Sequence, residues 1–259
     1  MTPDPIEIPA ATLVLLRETP AGVELFMAER AKSMGFAGGM MVFPGGKVDA
    51  ADIELARNDT LAPGFADLDP VDAAARIAAI RETFEEAGVL VTVGGPVSEE
   101  VRDHWRSRIV EHEESFADFL MTTGHRLDPH ALVPFAHWCP PAGLEKKRFD
   151  TRFYLARMPE AETALHDGHE STHSHWITAA EALARADAGE NAIIFPTRRN
   201  LERLALHDSI DSLIAAARAT PVVLVQPTVE QRDGRPHLCI PENAGYPVTA
   251  EPLDRAMRG

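Results

Sequence analysis

Two cysteines, Cys139 and Cys239, are all that 259 residues contain. They are too few for a disulfide framework, so a reducing compartment is expected. There is no basic surplus either: 25 Lys and Arg stand against 40 Asp and Glu, a formal net charge of −15. A nucleic-acid polymer is therefore excluded as the main partner, because binding one requires cations that displace its counterions. No apolar run approaches the length of a membrane span, so no membrane partner is expected. Residues 1–5 lack the basic and apolar regions of a secretory signal, and Ala256-Met257-Arg258-Gly259 is not a peroxisomal address. The cytoplasm is the expected location. No internal repeat and no linker-like composition divides the chain, so one domain over 1–259 is expected. What is present, 45% hydrophobic and 25% charged residues, is an ordinary globular composition with ample material for a core.

The stretch that carries chemistry is Arg81-Glu82-Thr83-Phe84-Glu85-Glu86-Ala87-Gly88-Val89. Asp69-Pro70 reads as an N-cap followed by Pro at the first helical position, and Gly88 as a left-handed stop, so the spacing predicts a helix over about 70–87. Within it Glu82, Glu85 and Glu86 share one face, while Ile77, Ile80, Phe84 and Ala87 form an apolar stripe on the opposite side. Three like charges near a helix C-terminus repel one another and oppose the helix dipole, a cost that a bound cation would offset. Carboxylate oxygens that Arg and Lys do not obviously neutralise suit a hard ion, Mg²⁺ or Mn²⁺. A solvated acidic face is the alternative that spacing alone leaves open.

Residues 81–89 resemble the core of the Nudix box: Gly, five residues, Glu, seven residues, then Arg-Glu-U-x-Glu-Glu-x-Gly-U, with U bulky and apolar. Gly46, within Phe43-Pro44-Gly45-Gly46, matches the opening glycine, and Asp52 stands where the family has Glu. Thr83 replaces the preferred Leu or Ile. Between Asp52 and Arg81 lie 28 residues instead of seven, an insertion of 21. A box broken in this way is similar to the Nudix subgroup that includes the mammalian peroxisomal coenzyme A diphosphatase. Arg30, Gly39 and residues 43–46 resemble parts of the signature of coenzyme-A-cleaving members, with Gly35 where a second Arg is expected.

The resemblance implies an α/β fold, the Nudix α/β/α sandwich with a mixed β-sheet. Its core would span about 10–220, with insertions at 53–80 and 97–130 and a C-terminal hairpin and tail at 221–259. It implies metal-dependent hydrolysis of a small-molecule diphosphate linked to another moiety. Coenzyme A or acyl-coenzyme A, nucleoside diphosphate sugars and dinucleoside polyphosphates are not separable by sequence, and the subgroup resemblance leans to coenzyme A derivatives. Glu82, Glu85 and Glu86 would hold Mg²⁺ or Mn²⁺, and Arg81 would orient Glu85. The general base would be a box glutamate, Glu85 or Glu86, or Glu170 from a late loop. Arg30, Gly45 and Gly46 would meet the substrate.

The remaining residues yield further expectations. Strands are expected at 11–16, 23–28, 89–93, 132–138 and 148–156, and an amphipathic helical excursion at 99–121 that could cap the site. The segment 51–69 reads as a surface excursion. Alternation along 148–156 puts Arg148 and Arg152 together on one face, where either could meet a phosphate. A final hairpin is expected from 221–226 and 236–240 with a turn at Asp233-Gly234, packing on the domain or forming a homodimer contact. His169-Glu170-Ser171-Thr172-His173 is a literal HExxH, but it falls across a loop and a strand entry, whereas zinc ligation requires both histidines on one helix face. A zinc hydrolase is thus the least favoured reading, behind a catalytically silent Nudix-fold binding module.

Overall fold

A computed structural model describes residues 6–30, 39–141, 147–159, 164 and 171–256. Residues 31–38, Glu170 and His169 lie outside the described residues. Strand β1 (Ile6–Thr19) and β2 (Gly22–Arg30) form the first hairpin. Two short strands follow, β3 (Met41–Val42) and β4 (Gly45–Lys47). Then come helix α1 (Ala50–Leu55), the long helix α2 (Pro70–Ala87), and α3 (Glu99–Val110) and α4 (Phe116–Thr123). Strands β5 (Val133–Trp138), β6 (Lys147–Arg157) and β7 (Ser171–Thr178) lead to α5 (Ala179–Asp187), α6 (Phe195–Leu204) and α7 (Ile210–Ala219). The chain closes with β8 (Leu224–Val225), β9 (Thr228–Arg232), β10 (Arg235–Cys239), β11 (Ala250–Pro252) and α8 (Leu253–Ala256).

The main sheet is mixed and runs β3-β2-β1-β6-β5-β8, with β4 paired to β1 and β7 to β2. Strand β1 lies parallel to β6 from Ile6 to Leu16 and antiparallel to β4 at Ala10–Thr12. Its run of Leu13, Val14, Leu15 and Leu16 is fully buried because the sheet is covered on both faces. Leu13 and Leu15 join Ile77, Ile80 and Phe84 of α2 in one core, while Val14 and Leu16 join Leu201 and Leu204 of α6 and Leu213 of α7 in the other. Helix, sheet and helix thus form the three layers that the resemblance implies.

Helix α2 keeps the expected bounds. The Asp69 carboxylate accepts from the Val71 and Asp72 amides, and Gly88 takes the left-handed conformation at φ 67°. Thr83 fits the interior where a larger apolar residue is preferred because its hydroxyl donates to the Ala79 carbonyl (2.7 Å).

Several expectations are corrected. The segment 51–69 is not a surface excursion: Leu55, Leu61, Ala62 and Phe65 are buried in the α2 core, and the Leu127 amide donates to the Leu61 carbonyl. Its apolar residues lack a period because they sit on a short helix, a turn and a 3-10 turn. Residues 89–91 are buried but not a strand, and only Val93 bridges, to Arg126. The 99–121 excursion is two helices, not one. The last hairpin is β9–β10 around Asp233-Gly234, whereas residues 224–225 join the main sheet beside β5. Strand β7 places His173 opposite Glu29 in a ladder, so the helix geometry that zinc would need is not formed there. Among the described residues no helix is long and apolar enough to cross a membrane.

Candidate active site

Pairing of β4 with β1 draws the Gly45-Gly46 backbone over the last turns of α2. The glycines are there for space, not for an unusual dihedral. A Cβ on Gly45 would stand 2.4 Å from the Ala11 carbonyl oxygen, and one on Gly46 would stand 2.3 Å from Glu82 Oε1. With that clearance the Gly45 amide donates to Glu86 Oε2 (3.0 Å) and fixes a buried carboxylate.

Arg81 gathers the rest. Its Nε and Nη2 donate to the two oxygens of Asp52 (both 2.9 Å), and its Nη1 donates to Glu82 Oε1 (2.9 Å) and Glu85 Oε1 (3.1 Å). A fifth hydrogen bond goes to the Lys47 carbonyl (2.9 Å), which ties the loop to the helix. Asp52, where the family has Glu, sits on α1 with its second role in the cap: Oδ2 accepts from the Asp49 amide (2.8 Å). The expectation that no Arg neutralises the row is therefore corrected in part. Burial works against the Arg81 charge, but the Asp52 hydrogen bond and the fields of Glu82, Asp52 and Glu85 outweigh it and raise its pKa.

One guanidinium does not balance this many carboxylates. Burial pushes Glu82 up to about 7 despite Arg81, with Glu85 adding to the rise. Glu85 is raised as well, again by burial. The helix end receives help that the sequence did not disclose. Arg106 of α3 donates from Nε to the Glu85 carbonyl and from Nη2 to the Glu86 carbonyl (both 2.6 Å). It satisfies two orphan acceptors of the helix terminus and brings positive charge to the negative dipole end. No periodicity signals such a contact, since it depends on how α3 folds back.

These groups line one side of a cleft of about 650 Å³. Trp138 of β5, Phe149, Thr151 and Phe153 of β6, and Ile194, Pro196 and Thr197 at the start of α6 line the same cleft. Arg30, Gly45, Gly46, Arg81, Glu82, Glu85 and Glu86, all expected at the site, line this cleft together. Arg148 and Arg152 do not. Strand alternation sends Phe149, Thr151 and Phe153 to the cleft and the arginines to the other face. There Arg148 donates to Glu7 (2.7 Å) and the Pro140 carbonyl, and Arg152 pairs with Asp150 (3.5 Å). His112, held at φ 57° after α3, also lines the cleft and carried no sequence signal.

Among the described residues no three acidic, His or Cys side chains already converge as a metal cage, since Arg81 draws Glu82 and Glu85 toward itself. The donor set nevertheless fits a hard divalent cation: buried oxygen ligands in excess of their countercharge, with Glu82 pushed up to about 7. Glu82, Glu85 and Glu86 are the residues that would hold it.

A family model described as the NUDT19 Nudix domain matches residues 59–204, more than half of the chain. The chain belongs to this Nudix family. Among curated relatives it is 30% identical to the acyl-coenzyme A diphosphatase NUDT19 of Gallus gallus, over 75% of this chain and 64% of that one. It is 25% identical to the protein of the same name from Xenopus laevis, over 73% and 62%. The match thus spans just under two thirds of the length of these relatives. Among solved structures, a NUDIX hydrolase from Alicyclobacillus acidocaldarius superposes with a TM-score of 0.71 at 26% identity, covering 82% of this chain and 96% of that one. Family membership and the mixed α/β fold therefore agree with the geometry of the box.

Proposed function

We propose that this Nudix protein is a divalent-metal-dependent diphosphatase that cleaves a diphosphate linked to another moiety. The observation that carries the reading is the surplus of buried carboxylate around Arg81, set at a cleft beside a loop whose glycines let it pack directly on Glu82. Mg²⁺ or Mn²⁺ held by Glu82, Glu85 and Glu86 would supply charge withdrawal from the phosphates and activation of water. The protein's own residues do the positioning. Arg81 holds Glu82 and Glu85 in register, and the Gly45 amide fixes one oxygen of Glu86. Arg30 lines the same cleft and would meet a substrate phosphate. A glutamate oxygen of Glu85 or Glu86, or of Glu170, accepts the proton of the attacking water.

Coenzyme A or acyl-coenzyme A is the proposed substrate class, supported by the names of the relatives and by a cleft wall of Trp138, Phe149 and Phe153 that suits a nucleoside or an apolar arm. The test is product analysis over a panel of diphosphates with Mg²⁺ or Mn²⁺, beside Glu85→Gln and Glu86→Gln. Coenzyme A cleaved to phosphopantetheine and adenosine 3′,5′-bisphosphate is the expected result. Each variant should lose about 10²–10⁴-fold in kcat while melting like the parent. No turnover of any panel member by folded, metal-loaded protein would instead favour a silent binding module.

A further inference from the structure

The side of the cleft made by α6 has a chemistry opposite to that of the glutamates. Helix α6 begins at Phe195, its N-cap is Ile194 with no side-chain cap, and Ile194, Pro196 and Thr197 all line the cleft. The first-turn amides of a helix have no intrahelical acceptor. At this end Pro196 has no N–H, and among the described residues nothing accepts from the Phe195 or Thr197 amides. Thr197 is 3% exposed, and its hydroxyl has no hydrogen-bond partner among the described residues although it borders the cleft. The oxygen itself keeps some solvent access, and the cleft is the opening that Thr197 borders.

The position of this helix end is fixed relative to the box. The Met41 amide donates to the Ala192 carbonyl (2.9 Å), and Met40 bridges Ala192, so the chain entering α6 is clipped to the strand that leads into Phe43-Pro44-Gly45-Gly46. One cleft thus carries a carboxylate wall for a cation and, held in fixed relation to it, a wall of free donors at a positive dipole end. Basic side chains of α6 do not serve the cleft: Arg198 pairs with Asp187, and Arg199 with Glu202 and Glu251.

We propose that the α6 N-terminus and the Thr197 hydroxyl form a second anion subsite, which takes a phosphate monoester on the part of the substrate remote from the scissile diphosphate. Free amides, a hydroxyl and the helix dipole converge on such a dianion without a side-chain charge. The placing of the substrate rests on the diphosphatase reading above. If that reading holds, the subsite selects diphosphates whose nucleoside carries an additional phosphate over those that lack it.

The test uses two probes that need no turnover, adenosine 3′,5′-bisphosphate and AMP, titrated calorimetrically into the Mg²⁺-loaded full chain. The parent protein should bind the bisphosphate at least about tenfold more tightly than AMP. Thr197→Val, nearly isosteric, should cut that preference about fivefold and leave AMP binding unchanged, while Thr197→Ser should retain it. Equal binding of the two nucleotides by the parent protein overturns the subsite. So does a Thr197→Val protein that loses affinity for both alike. Failure of the catalytic reading would show as absent turnover and would leave the bisphosphate preference to be read directly, so the two failures are distinguishable. Should Thr197→Val fail to fold, the comparison of nucleotides on the parent protein still decides.

Discussion

Two ionic clusters, each built around a buried arginine and one on each side of the sheet, invite comparison. On the α6 side, Arg199 pairs with Glu202 (2.7 Å) and Glu251 (3.1 Å), Arg255 pairs with Glu251 (3.0 Å), and Arg198 and Arg255 share Asp187. Three cations face three anions there. On the α2 side Arg81 alone faces Asp49, Asp52, Glu82 and Glu85. The balanced cluster closes on itself and ties β11 and α8 to α6. The unbalanced one lines the cleft, and there burial pushes Glu82 up to about 7, with Glu85 and Asp52 adding to the rise. Both contain buried arginine and glutamate, so burial alone does not mark the functional site. The sign and size of the leftover charge do, because a residual negative field in a low-dielectric site can be relieved only by a proton or a cation.

The difference can be broken from either side. In the balanced cluster, Glu251→Gln leaves Arg255 and part of Arg199 uncompensated, and should cost about 3 kcal/mol of stability in urea unfolding. Turnover per folded molecule at a permissive temperature should stay within about twofold, since none of the cluster's side chains lines the cleft. A large kcat loss there would erase the distinction between the two clusters. Next in size, Gly45→Ala forces a methyl against the Ala11 carbonyl oxygen, which backbone cannot readily give. A loss of about 1–3 kcal/mol is expected, with a fall in kcat because the amide that fixes Glu86 is displaced.

The smallest effect is in pH. In metal-free protein the folded Glu82 carboxyl keeps its proton up to about 7, against an ordinary value of 4.5. Between those values the folded state binds more protons than the unfolded one, so this group's contribution to stability is present below the ordinary value and is lost as pH rises toward about 7. The melting temperature of chelated protein should fall by roughly 5 °C more between pH 5 and 8 in the parent than in Glu82→Gln, and Mg²⁺ should restore it at pH 8. An identical pH profile in the two proteins would mean that the surplus charge is relieved by something other than Glu82 protonation.

The legibility of the site followed its range in sequence. Helix α2 could be bounded because Asp69-Pro70 and Gly88 are local signals, and its glutamates could be grouped because three- and four-residue spacing is a property of any helix. The loop glycines could be named by resemblance, but their reason, a Cβ clash with Ala11 and Glu82, required β4 to lie on β1. Arg148 and Arg152 were placed correctly on one strand face, yet which face meets the cleft is undecided until the sheet is covered by helices on both sides. The segment 51–69 misled because its buried residues follow no single period.

By itself the sequence determined the box, the acidic face of its helix and the ordering of Arg81 against Glu85, since all of these reside within a few helical turns. Only the tertiary structure decided that Arg106 closes the helix end, that Phe149, Thr151 and Phe153 and not the arginines line the glutamates' cleft, and that Thr197 lines it too. Those contacts join residues far apart in the chain. They are fixed by the burial of both sheet faces and by backbone pairing, neither of which any local pattern of side chains records.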